Sequence, residues 1–247
     1  MHRPLLCELH AHTRWSDGDL SLREVVDLYG SNGFDVLCIT DHVLPADDPW
    51  LLEYRRANRS IAIDEASFPV YLHALELEAA RARREYGLVV IPGLELTCNA
   101  ERPELSAHAV AIGLREFVGV DDGLVEALKR ARSAGAALIA AHPHGTIPDD
   151  QPLRTTQRYY WEREALAPLV DRFELFNREH VFGWVAEAGL PSVAAGDFHD
   201  PTHLATWKTL LPCEKHEAAI VSYLRSGRPA YLVPPRVVSE VAAPAAA

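Results

Sequence analysis

The chain has little cysteine and no close cysteine pair. Cys7, Cys38, Cys98 and Cys213 are widely spaced, and no two form a C-x-x-C. Three of them lie in apolar, strand-like runs, so buried free thiols in a reducing compartment are expected rather than disulfides. Basic residues are outnumbered, 24 Lys and Arg against 35 Asp and Glu, for a net charge of −11 with His neutral. That balance argues against an extended nucleic-acid surface or a membrane surface. It leaves a small anionic substrate open, because bound metals reverse charge locally. No run approaches the roughly 18 apolar residues that span a bilayer. Met1 opens no secretory leader, and the expectation is a cytoplasmic protein. There is no internal repeat, no domain linker and no Gly-rich phosphate loop of the Walker or Rossmann type.

What is present is ordinary for a globular protein. The 247 residues are 48% apolar and 24% charged, enough for one domain with a substantial core. We expect that domain over 1–237, with the Ala/Pro-rich 238–247 as a disordered tail. Pro4 to Glu8 reads as a first strand. Ser21 with Glu24 is a capping box opening a helix. Phe34 to Thr40 is continuously apolar, as suits a parallel strand covered on both faces, and it ends in Asp41-His42. Residues 45–69 are longer than a usual connection, so they are a lid or insertion, or else a surface excursion with a short helix. An amphipathic helix over Val70–Tyr86 follows. Strands are expected at Leu88–Gly93 running on to Thr97, Ala107–Gly113, Ala136–Ala141, Phe173–Asn177, Pro191–Ala195 and Ala230–Val233. Helices are expected at Asp121–Ser133, Trp161–Val170, His180–Gly189 and Lys215–Arg225. About seven strand–helix alternations, with polar clusters at successive strand ends, predict an α/β fold of the (β/α) barrel kind. Its active site would sit at the C-terminal rim of the strands.

Those polar clusters carry the functional signal. His10 and His12 are two apart, so they leave a strand end on one face; alone, they are equally two solvated histidines. Glu95 stands between leucines and needs a partner if buried. His108, near a strand start, also reads as a core histidine. Six histidines (His10, His12, His42, His108, His142, His199) and three carboxylates (Asp17, Glu95, Asp197) accumulate this way. A structural zinc uses four ligands, often cysteine, so nine nitrogen and oxygen donors point instead to a two- or three-metal hydrolytic centre.

The ordered motifs H-A-H-T from His10, S-D-G from Ser16, I-T-D-H ending at His42, P-G-L-E-L-T from Pro92, the following His108, A-H-P from Ala141 and G-D-F-H from Gly196 resemble those of the polymerase and histidinol phosphatase (PHP) superfamily. The resemblance spans about Cys7 to Lys208. It implies a distorted (β/α)7 barrel and, in most members, phosphoesterase activity. It further implies that His10, His12, Glu95 and Asp197 hold one metal. Glu95 would bridge to a second metal held also by His108 and His142, with Asp17, His42 and His199 forming a third site. Some relatives carry histidine at the position of Asp17; with aspartate there, those three residues can instead perform acid–base work. Two or three divalent ions (Mn, Fe or Zn) would outweigh three carboxylates and make the site net positive, favouring a phosphate. A water shared by two ions would have its pKa lowered towards about 7 and attack phosphorus as hydroxide. His199 or His42 would supply the leaving group's proton.

The expected substrate is a phosphate ester of a small metabolite or nucleotide, and the expected bond a phosphomonoester. A carbon ester or amide hydrolase on the same centre is the alternative, and a non-catalytic metal-binding module the third reading. Arg14, Arg154, Arg158, Arg178 and Lys208 are candidate phosphate contacts, each also readable as a solvated surface charge. His144 is a substrate or a turn residue. Trp50, Tyr159, Tyr160 and Trp161 suit ring stacking or core packing equally, and Asn177 could orient a water. The sequence leaves the oligomeric state open.

Overall fold

In a computed structural model of the chain, residues 3–56, 61–144 and 156–235 are described. β1 (Leu5–Glu8) begins a mixed α/β fold. α1 (Leu22–Ser31) has the expected capping box: the Ser21 hydroxyl accepts the Glu24 N–H, and the Glu24 carboxylate accepts the Ser21 N–H. Val25, Val26 and Tyr29 form its buried stripe, and each such valine contributes about 1.5–3 kcal/mol by leaving water. β2 (Val36–Ile39) is followed by the two-residue β3 (His42–Val43). In the 45–69 stretch lies α2 (Pro49–Arg56), whose first N–H groups, of Trp50 and Leu51, donate to the Asp48 carboxylate; residues 57–60 are outside the described residues. α3 (Phe68–Glu85) leads into β4 (Val89–Cys98), one ten-residue strand running through Pro92-Gly93. Only glycine fits there, since a Cβ would lie 2.6 Å from the Ala111 carbonyl oxygen.

β5 (Ala107–Ile112), α4 (Leu124–Ser133) and β6 (Ala137–Ala141) come close to their expected bounds. The helix expected over Trp161–Val170 is instead α5 (Arg158–Trp161), α6 (Arg163–Leu166) and a 3-10 turn at Ala167–Leu169; Pro168 has no N–H to carry an α-helical ladder through. After β7 (Arg172–Asn177), His180 does not open a helix. β8 (His180–Val181) folds back on β7 through the two-residue turn Arg178-Glu179, and α7 (Gly183–Glu187) starts later. β9 (Ser192–Ala195) is followed by β10 (Lys208–Leu211), which the sequence pattern hides because its four residues start with a charged lysine. α8 (Glu217–Arg225) and β11 (Tyr231–Val233) complete the described chain. The expected tail, 238–247, lies outside the described residues.

The strands form one sheet in the order β11-β10-β1-β2-β4-β5-β6-β7-β8, with β3 on β4 and β9 on β7. β1, β2 and β4 are mutually parallel, as are β6, β7 and β9. β5 is antiparallel to both β4 and β6, and only a 3-10 turn at Pro103–Leu105 separates it from β4. The regular (β/α)7 alternation is therefore interrupted at β5. The sheet curls until Ala11, just past β1, bridges Phe198, just past β9. One buried cluster, including Cys7, Val36, Ile91, Ile139 and Val193 with Ile220 and Leu224 of α8, packs on one face of the strands. Another, including residues of α1, α3 and α4, packs on the other. Two covered faces explain the continuously apolar strands. All four cysteines are free thiols. Among the described residues, no helix is long and apolar enough to cross a membrane.

Candidate metal centre

β1 delivers His10 and His12 side by side, their Nε2 atoms 3.0 Å apart and both rings fully buried. The bridge between Ala11 and Phe198 sets Asp197 against them, with Oδ1 3.4 Å from each Nε2. Glu95, opposite His42 in the β3–β4 register, lies at the centre. Its Oε2 is 3.5 Å from His10 Nε2, 3.4 Å from His12 Nε2 and 2.8 Å from His42 Nδ1. Its Oε1 is 3.1 Å from His108 Nδ1 and 3.2 Å from His142 Nε2. One carboxylate thus presents its two oxygens to two sets of imidazoles. The antiparallel β5 makes this possible: its register pairs His108 with Ala141, so a histidine at a strand start lies beside His142 at a strand end.

Asp17 gathers a further set. Its Oδ1 is 3.5 Å from His42 Nε2 and 3.7 Å from His12 Nδ1, and its Oδ2 is 3.2 Å from His199 Nε2. Donor atoms within 4.8 Å of one another form three groups: His10, His12 and Glu95; Glu95, His108 and His142; His12, Asp17, His42 and His199. The nine residues singled out by the sequence converge on one place.

The hydrogen bonds around the cluster leave lone pairs pointing inward. Glu174 Oε1 is 2.9 Å from His10 Nδ1. A carboxylate only accepts, so Nδ1 carries a proton, and in the neutral ring Nε2 is the lone pair. Ser16 Oγ donates to Asp41 Oδ1 at 2.6 Å and so accepts from His12 Nδ1 at 3.3 Å; His12 Nε2 is therefore a lone pair too. With both rings neutral, as a metal ion requires, these two nitrogens, Glu95 Oε2 and Asp197 Oδ1 face one another as acceptors only. Glu95 Oε2, Asp17 Oδ1 and His142 Nδ1 are buried without a hydrogen-bond partner. An orphaned buried polar atom costs about 1–3 kcal/mol, and divalent cations would satisfy these. The donor set of imidazole and carboxylate without thiolate fits Mn, Fe or Zn.

Charges in the ion-free cluster compensate one another. Burial raises the Glu95 pKa, but the His42, His10 and His108 imidazoles outweigh it and hold the carboxyl well below the usual range. Burial lowers the His10 pKa, yet Asp197, Glu95 and Glu174 turn the net shift upward. At His12, burial and the neighbouring His199 and His42 win, and the pKa falls to about 3.

Among the described residues, four other than glycine have positive φ: His142 (29°), His144 (77°), Arg178 (50°) and Asp197 (44°). All four adjoin this cluster. Such backbones cost about 1–3 kcal/mol and persist where surroundings over-determine them. The Trp184 indole N–H reaches the carbonyls of Pro143 at 3.1 Å and His144 at 2.8 Å, and Glu174 Oε2 accepts the His142 N–H at 2.7 Å.

The substrate-side candidates divide. Arg178 reaches the cluster: its Nε donates to the Asp197 carbonyl at 3.0 Å, and its Nη2 lies 3.1 Å from Asp197 Oδ2 and 2.7 Å from His199 Nδ1. Arg14 is turned to the Asp19 carbonyl and Glu24. Arg158 pairs with Glu162 at 3.0 Å. Lys208 is not placed for a substrate contact: it is fully buried, its ammonium 2.8 Å from Glu8 Oε2. The His144 ring packs edge-on to Tyr160, with centroids 5.1 Å apart. Arg154 lies outside the described residues. Sequence reasoning passed over Glu174, although a charge in an otherwise apolar strand is the signal that marked Glu95. It also passed over Asn99, whose side-chain oxygen is 2.9 Å from His108 Nε2.

No family model matches the chain, and no curated protein matches it. Solved structures do. A two-domain protein of Bacteroides vulgatus containing a predicted PHP-like metal-dependent phosphoesterase superposes with a TM-score of 0.67 at 22% identity, over 94% of this chain and 65% of that one. This chain therefore spans under two thirds of that protein. An amidohydrolase of Chromobacterium violaceum, solved with sulfate and no metal, gives 0.55 at 16% identity over 93% of this chain and 98% of that one. A candidate metal-dependent phosphoesterase of Bifidobacterium adolescentis gives 0.50 at 16% identity over 78% and 87%. The likeness is one of fold: the chain, whose motifs resemble the PHP superfamily, folds like PHP-like metal-dependent phosphoesterases.

Proposed function

We propose that the chain is a metal-dependent phosphoesterase of the PHP superfamily, a distorted (β/α)7 barrel over 1–237 with its site at the C-terminal rim. It would hydrolyse a phosphomonoester of a small metabolite or nucleotide. The observation that carries this reading is Glu95, buried to 1% exposure, with one oxygen towards His10 and His12 and the other towards His108 and His142. His10, His12, Glu95 and Asp197 would hold one ion, and Glu95, His108 and His142 the second. Bound there, divalent ions supply Lewis acidity at the phosphoryl oxygens and a lowered water pKa.

The chain's own residues do the rest. Glu174 and Ser16 fix the His10 and His12 tautomers. Arg178 holds Asp197 and adds a positive charge for an anionic substrate. Asp17 Oδ2 and His199 Nε2, 3.2 Å apart, form with His42 the set to which we assign proton delivery to the leaving oxygen. A third ion on those residues is the other outcome of metal counting.

The test is phosphate release from phosphomonoesters, nucleotides and short oligonucleotides with Mn²⁺ added, with metal counted in the same sample. Release from one compound class at two or three ions per chain supports the proposal. A fully metallated protein that releases no phosphate but cleaves carboxylic esters or amides moves the assignment to carbon–oxygen or carbon–nitrogen bonds. A chain that binds no metal overturns it.

A further inference from the structure

Behind the candidate metal centre, Glu8 and Lys208 form an ion pair with neither side chain exposed, Oε2 to Nζ 2.8 Å. Such a pair is a weak source of stability, because desolvation offsets most of the attraction, and well-packed apolar residues often replace one at no cost. Its presence calls for a role that apolar residues could not fill. The partners supply one. Glu8 Oε1 accepts the N–H groups of Leu9 at 3.0 Å, His10 at 3.2 Å and Gly196 at 2.8 Å. His10 is itself a ligand candidate, Leu9 precedes it, and Gly196 precedes Asp197. Tyr29 donates its hydroxyl to Oε2 at 2.9 Å.

Lys208 extends the same scaffold. Its ammonium also donates to Thr206 Oγ1 at 2.6 Å and to the His203 carbonyl at 3.1 Å. The His203 ring in turn accepts the His199 N–H at 3.1 Å. Gly196 leaves the room: a Cβ there would meet both Glu8 Oε2 and Lys208 Nζ at 2.4 Å. Past β1 and β9 the direct backbone bonds between the two segments are those of His10 and His12 with Phe198. One carboxylate oxygen stands in for the missing rungs between 9–10 and 196.

We infer that the Glu8–Lys208 pair is a positioning device for the metal centre, holding the backbone of His10 and Asp197 at the separation that lets both reach one ion. The inference rests on the metal reading above. It concerns a carboxylate and an ammonium whose partners are backbone and side-chain groups of the protein.

The test compares two double variants with the wild type for Mn²⁺ affinity and stoichiometry, measured by calorimetry on chelator-treated protein, with folding checked by circular dichroism. Glu8→Gln with Lys208→Met removes the charges but keeps an amide oxygen for the three N–H groups. Glu8→Leu with Lys208→Met removes the acceptor. The leucine variant should bind one ion about 10–100-fold more weakly, the usual effect of losing an outer support of a metal site. The glutamine variant should stay within a few-fold of wild type. A merely structural pair would give no such split, so equal affinities in both variants overturn the inference. Glu8→Met with Lys208→Met, close to glutamate in length but without an acceptor oxygen, covers the case in which the leucine variant does not fold: it should bind one ion about 10–100-fold more weakly, and an affinity within a few-fold of wild type overturns the inference. If the wild type itself binds no Mn²⁺, the metal reading fails instead.

Discussion

Glu95→Ala separates a metal centre from a cluster of buried histidines by its effect on melting. In wild type, Mn²⁺ at a hundred times Kd stabilises the fold by about 2.7 kcal/mol per ion. Two ions give about 5 kcal/mol, and a chain of this size gains about 2–4 °C per kcal/mol. The expected shift after chelation and reloading is therefore roughly 10–20 °C. Glu95 meets both sets of imidazoles at 3.1–3.5 Å. A unit charge pair at about 4 Å and an effective dielectric near 20 is worth about 4 kcal/mol, so losing the carboxylate should weaken each ion by about a thousandfold. At the same Mn²⁺ concentration the variant then gains about 0.1 kcal/mol, less than 1 °C. The metal-free variant should melt below the metal-free wild type, because it loses the contacts of Glu95 with the His42, His108 and His142 imidazoles, so the quantity to compare is the Mn²⁺-induced shift within each protein. The assay is thermal unfolding with and without Mn²⁺, alongside phosphate release, which should vanish. A variant that keeps the wild-type Mn²⁺ shift would refute the bridging role of Glu95.

Glu174→Ala frees the His10 Nδ1 proton and the His142 N–H together, so Mn²⁺ affinity should drop about 10–100-fold in a folded protein; titration calorimetry reads this, and an unchanged Kd would count against the tautomer argument. Asp17→Ala should retain two ions and lose about 10²–10⁴ in kcat; loss of a counted ion instead would assign Asp17 to a third metal. In the metal-free protein, burial lowers the His10 and His42 pKa values, but neighbouring carboxylates raise them on balance. Their contribution to stability is full below about pH 6.5 and is lost as pH rises through the raised values. Burial raises the Glu95 and Asp197 pKa values, but histidines, with Arg178 at Asp197, depress them on balance. Their contribution is present above about pH 4 and is lost as pH falls through the depressed values. Burial and neighbouring histidines lower the His12 pKa to about 3, and burial lowers that of His108, so stability also falls as pH drops below about 6.5. Metal-free Tm should therefore peak near about pH 6.5, while the Mn²⁺-induced shift grows with pH as the ligands shed protons. A metal-free optimum above pH 8 would contradict the charge pattern.

How far the sequence could be read follows from the kind of interaction at each residue. His10 and His12 are legible because strand alternation is local: residues two apart share a face whatever the rest of the chain does. Glu95 is legible because a carboxylate between leucines must be answered by something. His108 is ambiguous in sequence for a definite reason. It sits at a strand start while its partners sit at strand ends, and only the antiparallel direction of β5, a tertiary fact, brings it beside His142. The same limit explains Lys208. Proximity in sequence to the G-D-F-H motif suggests a substrate contact, but β10 pairs antiparallel to β1 and turns the lysine inward onto Glu8. A four-residue strand headed by lysine does not announce itself, so neither its direction nor its buried charge can be inferred. Arg178 shows the converse. It has no sequence signal beyond its nearness to a strand end, yet its backbone at φ 50° shares the left-handed region with His142, His144 and Asp197. Strain of that kind concentrates where geometry is held for chemistry. On that ground Arg178, rather than Arg14, Arg158 or Lys208, is the cation to mutate first, and Arg178→Met should raise KM for a phosphate ester as well as lower kcat. An effect on kcat alone would restrict its role to holding Asp197.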